Sequence, residues 1–113
     1  MPGQLLFAYG TLQQPEVQLA NFGRRLEGDP DVAIGYALGT VLIDDPDVAA
    51  LSGLAVHTII APTGDPADIV PGTVFCLTAA ELAAADAYET AAYVRAKVAL
   101  ASGRHAWAYI KGH

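Results

Sequence analysis

Glu89 is the residue in this chain best suited by type and position to move a proton. It follows Tyr88 where an alanine-rich segment runs out, and it stands just ahead of a strand-like segment that begins at Tyr93. A carboxylate at a helix C-terminus is opposed by the helix dipole, by about 0.3–1 kcal/mol. Helix stability therefore does not select a glutamate there. Burial beside Tyr88 and Tyr93 would lift its pKa toward neutrality, where a carboxyl works best as a proton shuttle. Taken alone, the simpler reading is a surface glutamate at a helix end.

The second chemical feature lies far away in sequence. Phe7-Ala8-Tyr9-Gly10-Thr11-Leu12 ends an apolar run on a glycine turn. A strand that stops at Tyr-Gly-Thr can present successive backbone N–H groups, the donors that a carboxylate or an oxyanion needs. An ordinary strand-to-loop turn has the same composition. The turn is not a known phosphate loop, because GxGxxG and GxxxxGK[ST] are absent, as are GxSxG and HExxH.

Other reactive residues read as structural. His57 lies inside an apolar strand-like run and reads as a satisfied core histidine; its distance from Glu89 is not legible. Asp86 reads as a local cap or pairing partner, Arg95 equally as a carboxylate binder or a salt-bridge partner, and Trp107 as core or pocket wall. Cys76, between Phe75 and Leu77, reads as an inert small hydrophobe. With one cysteine there is no internal disulfide, and no Cys/His cluster is spaced to hold zinc. Asp44, Asp45 and Asp47 lack the glycine and distal glutamate of an EF-hand, so no metal site is expected.

These residues need a scaffold, and the composition supplies one. At 113 residues, 53% hydrophobic and 16% charged, the chain reads as one globular domain, 1–113, with a core of its own. The net charge of −6, with only six basic residues, argues against a nucleic-acid partner. The start, MPGQLLFAYG, lacks the basic and apolar regions of a signal peptide, and no apolar stretch is long enough to span a bilayer. The lone cysteine fits a reducing compartment, so a cytoplasmic protein without membrane contact is expected. The acidic stretches Glu27–Asp31 and Asp44–Asp47 read as solvated turns, given the Asp-Pro pairs at 29–30 and 45–46.

The patterning predicts strands at 4–9, 54–61 and 70–77, and a short helix from Glu16 to Phe22 behind Pro15. Residues 32–43 carry Gly35 and Gly39 within β-formers and predict a bent strand or a hairpin. Thr78 and Glu81 form a capping box that opens a helix over 79–88. Alternation over 93–101, with Val94, Val98 and Leu100 on the buried face, and the Ser102-Gly103 turn predict an antiparallel hairpin with 105–110. The fold class is α+β: a mixed or antiparallel, barrel-like sheet with one or two short helices.

Taken in order, these motifs are similar to those of the γ-glutamylcyclotransferase-like (AIG2-like) family. The resemblance rests on Phe7 to Leu12, Val70-Pro71-Gly72-Thr73-Val74-Phe75, Asp86-Ala87-Tyr88-Glu89, Tyr93-Val94-Arg95 and Ala106-Trp107-Ala108-Tyr109. It covers nearly the whole chain; Ala85 departs from the leucine usual before the aspartate, a packing change. The resemblance implies cyclisation of a small γ-glutamyl amide to 5-oxoproline with release of an amine, using no metal and no cofactor. Glu89 would be the acid/base. The Tyr9-Gly10-Thr11-Leu12 turn would hold the substrate carboxylate or oxyanion, and Tyr93 the glutamyl end. A non-catalytic binding module on the same scaffold, and a tailoring enzyme that removes a γ-glutamyl protecting group, remain open beside it, as do the leaving amine and the oligomeric state.

Overall fold

A computed structural model describes residues 3–42, 46–52, 56–89 and 92–112. The order of elements is β1 (Gln4–Ala8), a 3-10 turn (Thr11–Gln13), α1 (Pro15–Phe22), β2 (Gly28–Ile34), β3 (Tyr36–Leu42) and α2 (Pro46–Ser52). There follow β4 (Val56–Pro62), β5 (Ile69–Leu77), α3 (Ala79–Tyr88), β6 (Tyr93–Ala99) and β7 (His105–Lys111). The fold is α+β, as the patterning implied.

Five strands form the main sheet in the order β2-β5-β1-β7-β6, and β3 with β4 forms a separate two-stranded sheet. The main sheet is mixed: β1 runs antiparallel to β5 and parallel to β7. It curls until its edges touch through the single bridge Ala33–Leu100, backed by the Ala101 N–H donating to the Val32 carbonyl at 2.8 Å. Among the described residues no continuous ladder closes the barrel.

β1 is the central strand and is buried on both faces, as an unbroken apolar run requires. Leu6 and Ala8 face a cluster with Leu12, Val17, Leu82, Ala85 and Tyr88, which belongs to the helices. Phe7 faces the inside of the curl, with Ile60, Val74, Val98 and Ala108. Each side of β1 therefore has its own core, and the C-terminal end of β1 emerges between them.

The helices follow their local signals. Pro15 opens α1, and Gly23, at φ 72°, ends it in the left-handed conformation. In α3 the box is complete: the Glu81 N–H donates to Thr78 Oγ1 at 3.1 Å and the Thr78 N–H to Glu81 Oε1 at 3.0 Å. Leu82, Ala85 and Tyr88, spaced three apart on one face, seat α3 against the sheet.

Several expectations need correction. The bent strand is two strands: Gly35, at φ 84°, carries the chain from the main sheet into the small one. Gly28 to Asp31 is not a solvated turn but the start of β2, an edge strand, where Pro30 needs no ladder donor. Asp31 is buried there, accepting from Ser102 Oγ at 2.6 Å and Arg104 at 3.0 Å, which holds its carboxyl down at about 2. A third helix, α2, was not expected; Asp47 sits in its first turn, while Asp44 and Asp45 lie outside the described residues. The 93–110 hairpin forms in the expected register, but of the three only Val98 and Leu100 are buried; Val94, on the edge strand β6, is 43% exposed. Cys76 is exposed, although Val74, Phe75 and Leu77 beside it on β5 are buried.

Candidate active site

The end of β1 and the end of α3 meet. One cleft, of about 330 Å³ with its mouth included, is lined by Tyr9, Gly10, Thr11, Leu12, Glu89 and Tyr93, together with His57, Thr58 and Tyr109. Every residue that the sequence singled out for the site thus lies in one place. Thr11 and Tyr88 make the join, their hydroxyls 2.7 Å apart in the core. That bond ties the turn after β1 to the residue preceding Glu89.

The turn is braced from behind. The buried Gln18 side chain donates to the Leu12 carbonyl at 2.9 Å and accepts from the Leu26 N–H at 2.8 Å. Gln13 folds back on the Gly10 carbonyl at 3.3 Å. In a 3-10 turn the first N–H groups have no internal acceptor, so those of Thr11 and Leu12 remain as donors beside the cleft. Gly10 is required for space: a Cβ there would stand 2.9 Å from Thr58 Oγ1.

Glu89 is the C-cap of α3, and burial pushes its carboxyl up to about 8. Tyrosines surround it, yet their protons go elsewhere. Tyr93 donates to the Thr58 carbonyl at 2.6 Å, and Tyr109 to Asp86 Oδ1 at 2.7 Å. Tyr9 donates to the Tyr109 carbonyl and accepts from the Ile60 N–H, so its hydroxyl is a brace and only its ring and backbone face the cleft. Desolvation, with Glu89 nearby as a lesser contribution, raises the pKa of Tyr9, Tyr93 and Tyr109. The site holds neutral phenols around one largely buried carboxyl.

Asp86 and Arg95 pair with each other at 2.8 Å, so the salt-bridge reading of Arg95 holds. Trp107 is not a wall of the cleft; it lies beneath Arg95 and Lys97, whose charges sit 4.4 and 4.7 Å from its ring centre. His57 is buried as expected of a core histidine, but at the cleft wall. Thr58 and Tyr109 were not singled out for the site. Thr58 had no local signal; Tyr109 had one, as the last residue of the final motif. Thr58 Oγ1 is buried without a hydrogen-bond partner among the described residues. No group of three or more His, Cys, Asp or Glu able to hold a metal occurs among the described residues.

Solved structures share this fold. An Arabidopsis thaliana protein known from its solution structure superposes with a TM-score of 0.74 at 22% identity, over 98% of this chain and 63% of that one. A uropathogenic E. coli-specific protein matches at 0.71 and 19%, over 100% of this chain and 82% of the other. A protein described as gamma-glutamyl cyclotransferase matches at 0.68 and 16%, over 98% and 68%. The chain thus spans less than two thirds of the length of the Arabidopsis protein. No curated protein matches it by sequence. The family profile "Gamma-glutamyl cyclotransferase, AIG2-like" matches residues 6–113. The chain belongs to that family.

Proposed function

We propose that the protein cyclises a γ-glutamyl amide to 5-oxoproline and releases the free amine, with Glu89 as the proton carrier. One observation carries the reading: a largely buried carboxyl, its pKa raised to about 8, shares a cleft with a 3-10 turn whose first N–H groups have no acceptor within the turn. The substrate's own α-amine is the nucleophile, so the protein need only fold the substrate into an attacking geometry. Glu89 in its carboxylate form takes a proton from the α-ammonium, whose ordinary pKa of about 7.7–8.0 is close to that of the carboxyl. The matched values make transfer easy in both directions.

The amine nitrogen then bonds to the γ-carbon, and the oxygen that gains charge is met by the Thr11 and Leu12 N–H groups. The bond from the γ-carbon to the leaving nitrogen breaks as Glu89 returns the proton to that nitrogen. The attacking nitrogen sheds its second proton, which the departing amine takes up, so that 5-oxoproline and an ammonium ion leave and the carboxylate is restored. Tyr93, its own proton spent on Thr58, still has an acceptor lone pair for the substrate ammonium. No step calls for a metal or cofactor. No helix among the described residues is long and apolar enough to cross a membrane; with the lone cysteine, this supports a cytoplasmic setting.

The test is a panel of γ-glutamyl amides whose leaving group is an amino acid, a peptide, a simple amine or a lysine side chain, assayed for 5-oxoproline. Release from at least one class is expected. If none is turned over, but 5-oxoproline or a γ-glutamyl amide binds, the cleft belongs to a binding module instead.

A further inference from the structure

Asp86 plays no part in the chemistry above, yet it holds the one tyrosine proton in the cleft wall that ends on a charged group. The Tyr109 hydroxyl donates to Asp86 Oδ1 at 2.7 Å, and Arg95 grips the same carboxylate with Nε at 2.8 Å and a terminal nitrogen at 3.2 Å. Both reach solvent: the side chains of Arg95 and Asp86 are 29% and 41% exposed. Tyr109, in contrast, is 6% exposed and lines the cleft with Glu89.

We infer that Asp86 is a positioning residue: by accepting the Tyr109 proton, with Arg95 fixing it from outside, it keeps that hydroxyl from donating to Glu89. The inference gives the functional reading a device for tuning its proton carrier, and it rests on that reading for its purpose but not for its geometry. A phenol that donated to the Glu89 carboxylate would favour the charged form and lower its affinity for a proton. The other titratable groups that line the cleft with Glu89 are Tyr9, just after β1, His57 on β4 and Tyr93 on β6, and Tyr88 precedes Glu89 on α3. The protons of Tyr9 and Tyr93 are held by backbone carbonyls, and the Tyr88 hydroxyl meets Thr11. Tyr109 alone depends on a removable side chain that carries charge.

The chain has four glutamates, so incorporation of glutamate labelled with carbon-13 at the side-chain carboxyl gives four titrating signals, with Glu89→Gln assigning the one of interest. Midpoints are read by NMR in Asp86→Asn and Asp86→Ala. Both variants lose the aspartate charge and leave Arg95 unneutralised, so both shift Glu89 downward alike. Only asparagine retains an oxygen for Tyr109. The alanine midpoint should therefore lie roughly one to two pH units below that of asparagine. In a Tyr109→Phe background the difference should vanish, because there is no proton left to redirect.

A merely structural role for Asp86 would change melting temperature without separating the two midpoints. Coincident midpoints overturn the inference, and so does a difference that survives Tyr109→Phe. The titration needs no substrate. If the midpoints separate as stated but no γ-glutamyl amide is turned over, the tuning stands and the functional reading fails.

Discussion

The two ends of α3 carry a glutamate each, and their surroundings drive the two apart. Glu81 at the N-terminus is met by Thr78 and by a bidentate Arg24, at 2.7 and 2.9 Å, and its carboxyl falls to about 2. The helix dipole favours its charge as well. Glu89 at the C-terminus has no such partners among the described residues, and burial lifts its carboxyl to about 8. The same side chain on the same helix is a structural anion at one end and a poised acid at the other. Satisfied hydrogen bonds make a charge inert; desolvation without them makes it reactive.

The largest expected difference between the ends is in turnover. Glu89→Gln should lower 5-oxoproline release by about 10²–10⁴, the usual worth of a general acid/base, with little change in substrate affinity. Glu81→Gln, far from the cleft, should leave turnover within about twofold. Equal losses in steady-state rates would abolish the distinction.

Stability against pH should separate them next, with opposite signs. The folded pKa of Glu89 lies above its ordinary 4.5, so the folded state holds the proton longer than the unfolded chain. Its contribution is fully present below 4.5 and is lost as pH rises toward 8, with a slope of up to about 1.4 kcal/mol per unit. Glu89→Gln should flatten that decline in urea titrations. Glu81 behaves in reverse: its contribution is present above 4.5 and is lost as pH falls toward 2. Arg24 is half exposed, so solvent screening keeps the contribution of that pair small. Asp31 adds to the same acid window.

A smaller effect probes the floor of the cleft. Gly10→Ala would push a methyl against Thr58 Oγ1. It should reduce kcat/KM more than it reduces melting temperature, because the turn must shift before the rest of the fold does. An unchanged kcat/KM would show that the turn does not hold substrate.

The smallest expected change concerns Thr58 itself. Its buried hydroxyl lacks a partner among the described residues, and replacing it with a methyl of the same shape relieves that. Thr58→Val should raise stability by about 0.5–2 kcal/mol in denaturant melts. A fall of that size would mean the hydroxyl already has a partner, such as an ordered water.

Sequence alone determined the pieces governed by neighbours in the chain. The capping box of α3, the proline start of α1, the β6–β7 hairpin and the apolar run of β1 are set by contacts a few residues apart, and each formed as read. Glu89 and the Tyr9–Leu12 turn were legible as separate oddities, and the ordered motifs tied them to one family. Tertiary structure decided the rest. Asp31 looked solvated until β2 and the Ser102–Arg104 turn closed over it. Val94 alternates with polar neighbours yet stays outside, because alternation fixes a face and not how far the core extends. The fate of Glu89 depended on the Thr11–Tyr88 contact and on where Tyr9, Tyr93 and Tyr109 send their protons. A pKa is a property of surroundings, and these were assembled from strands and helices that the chain brings together only on folding.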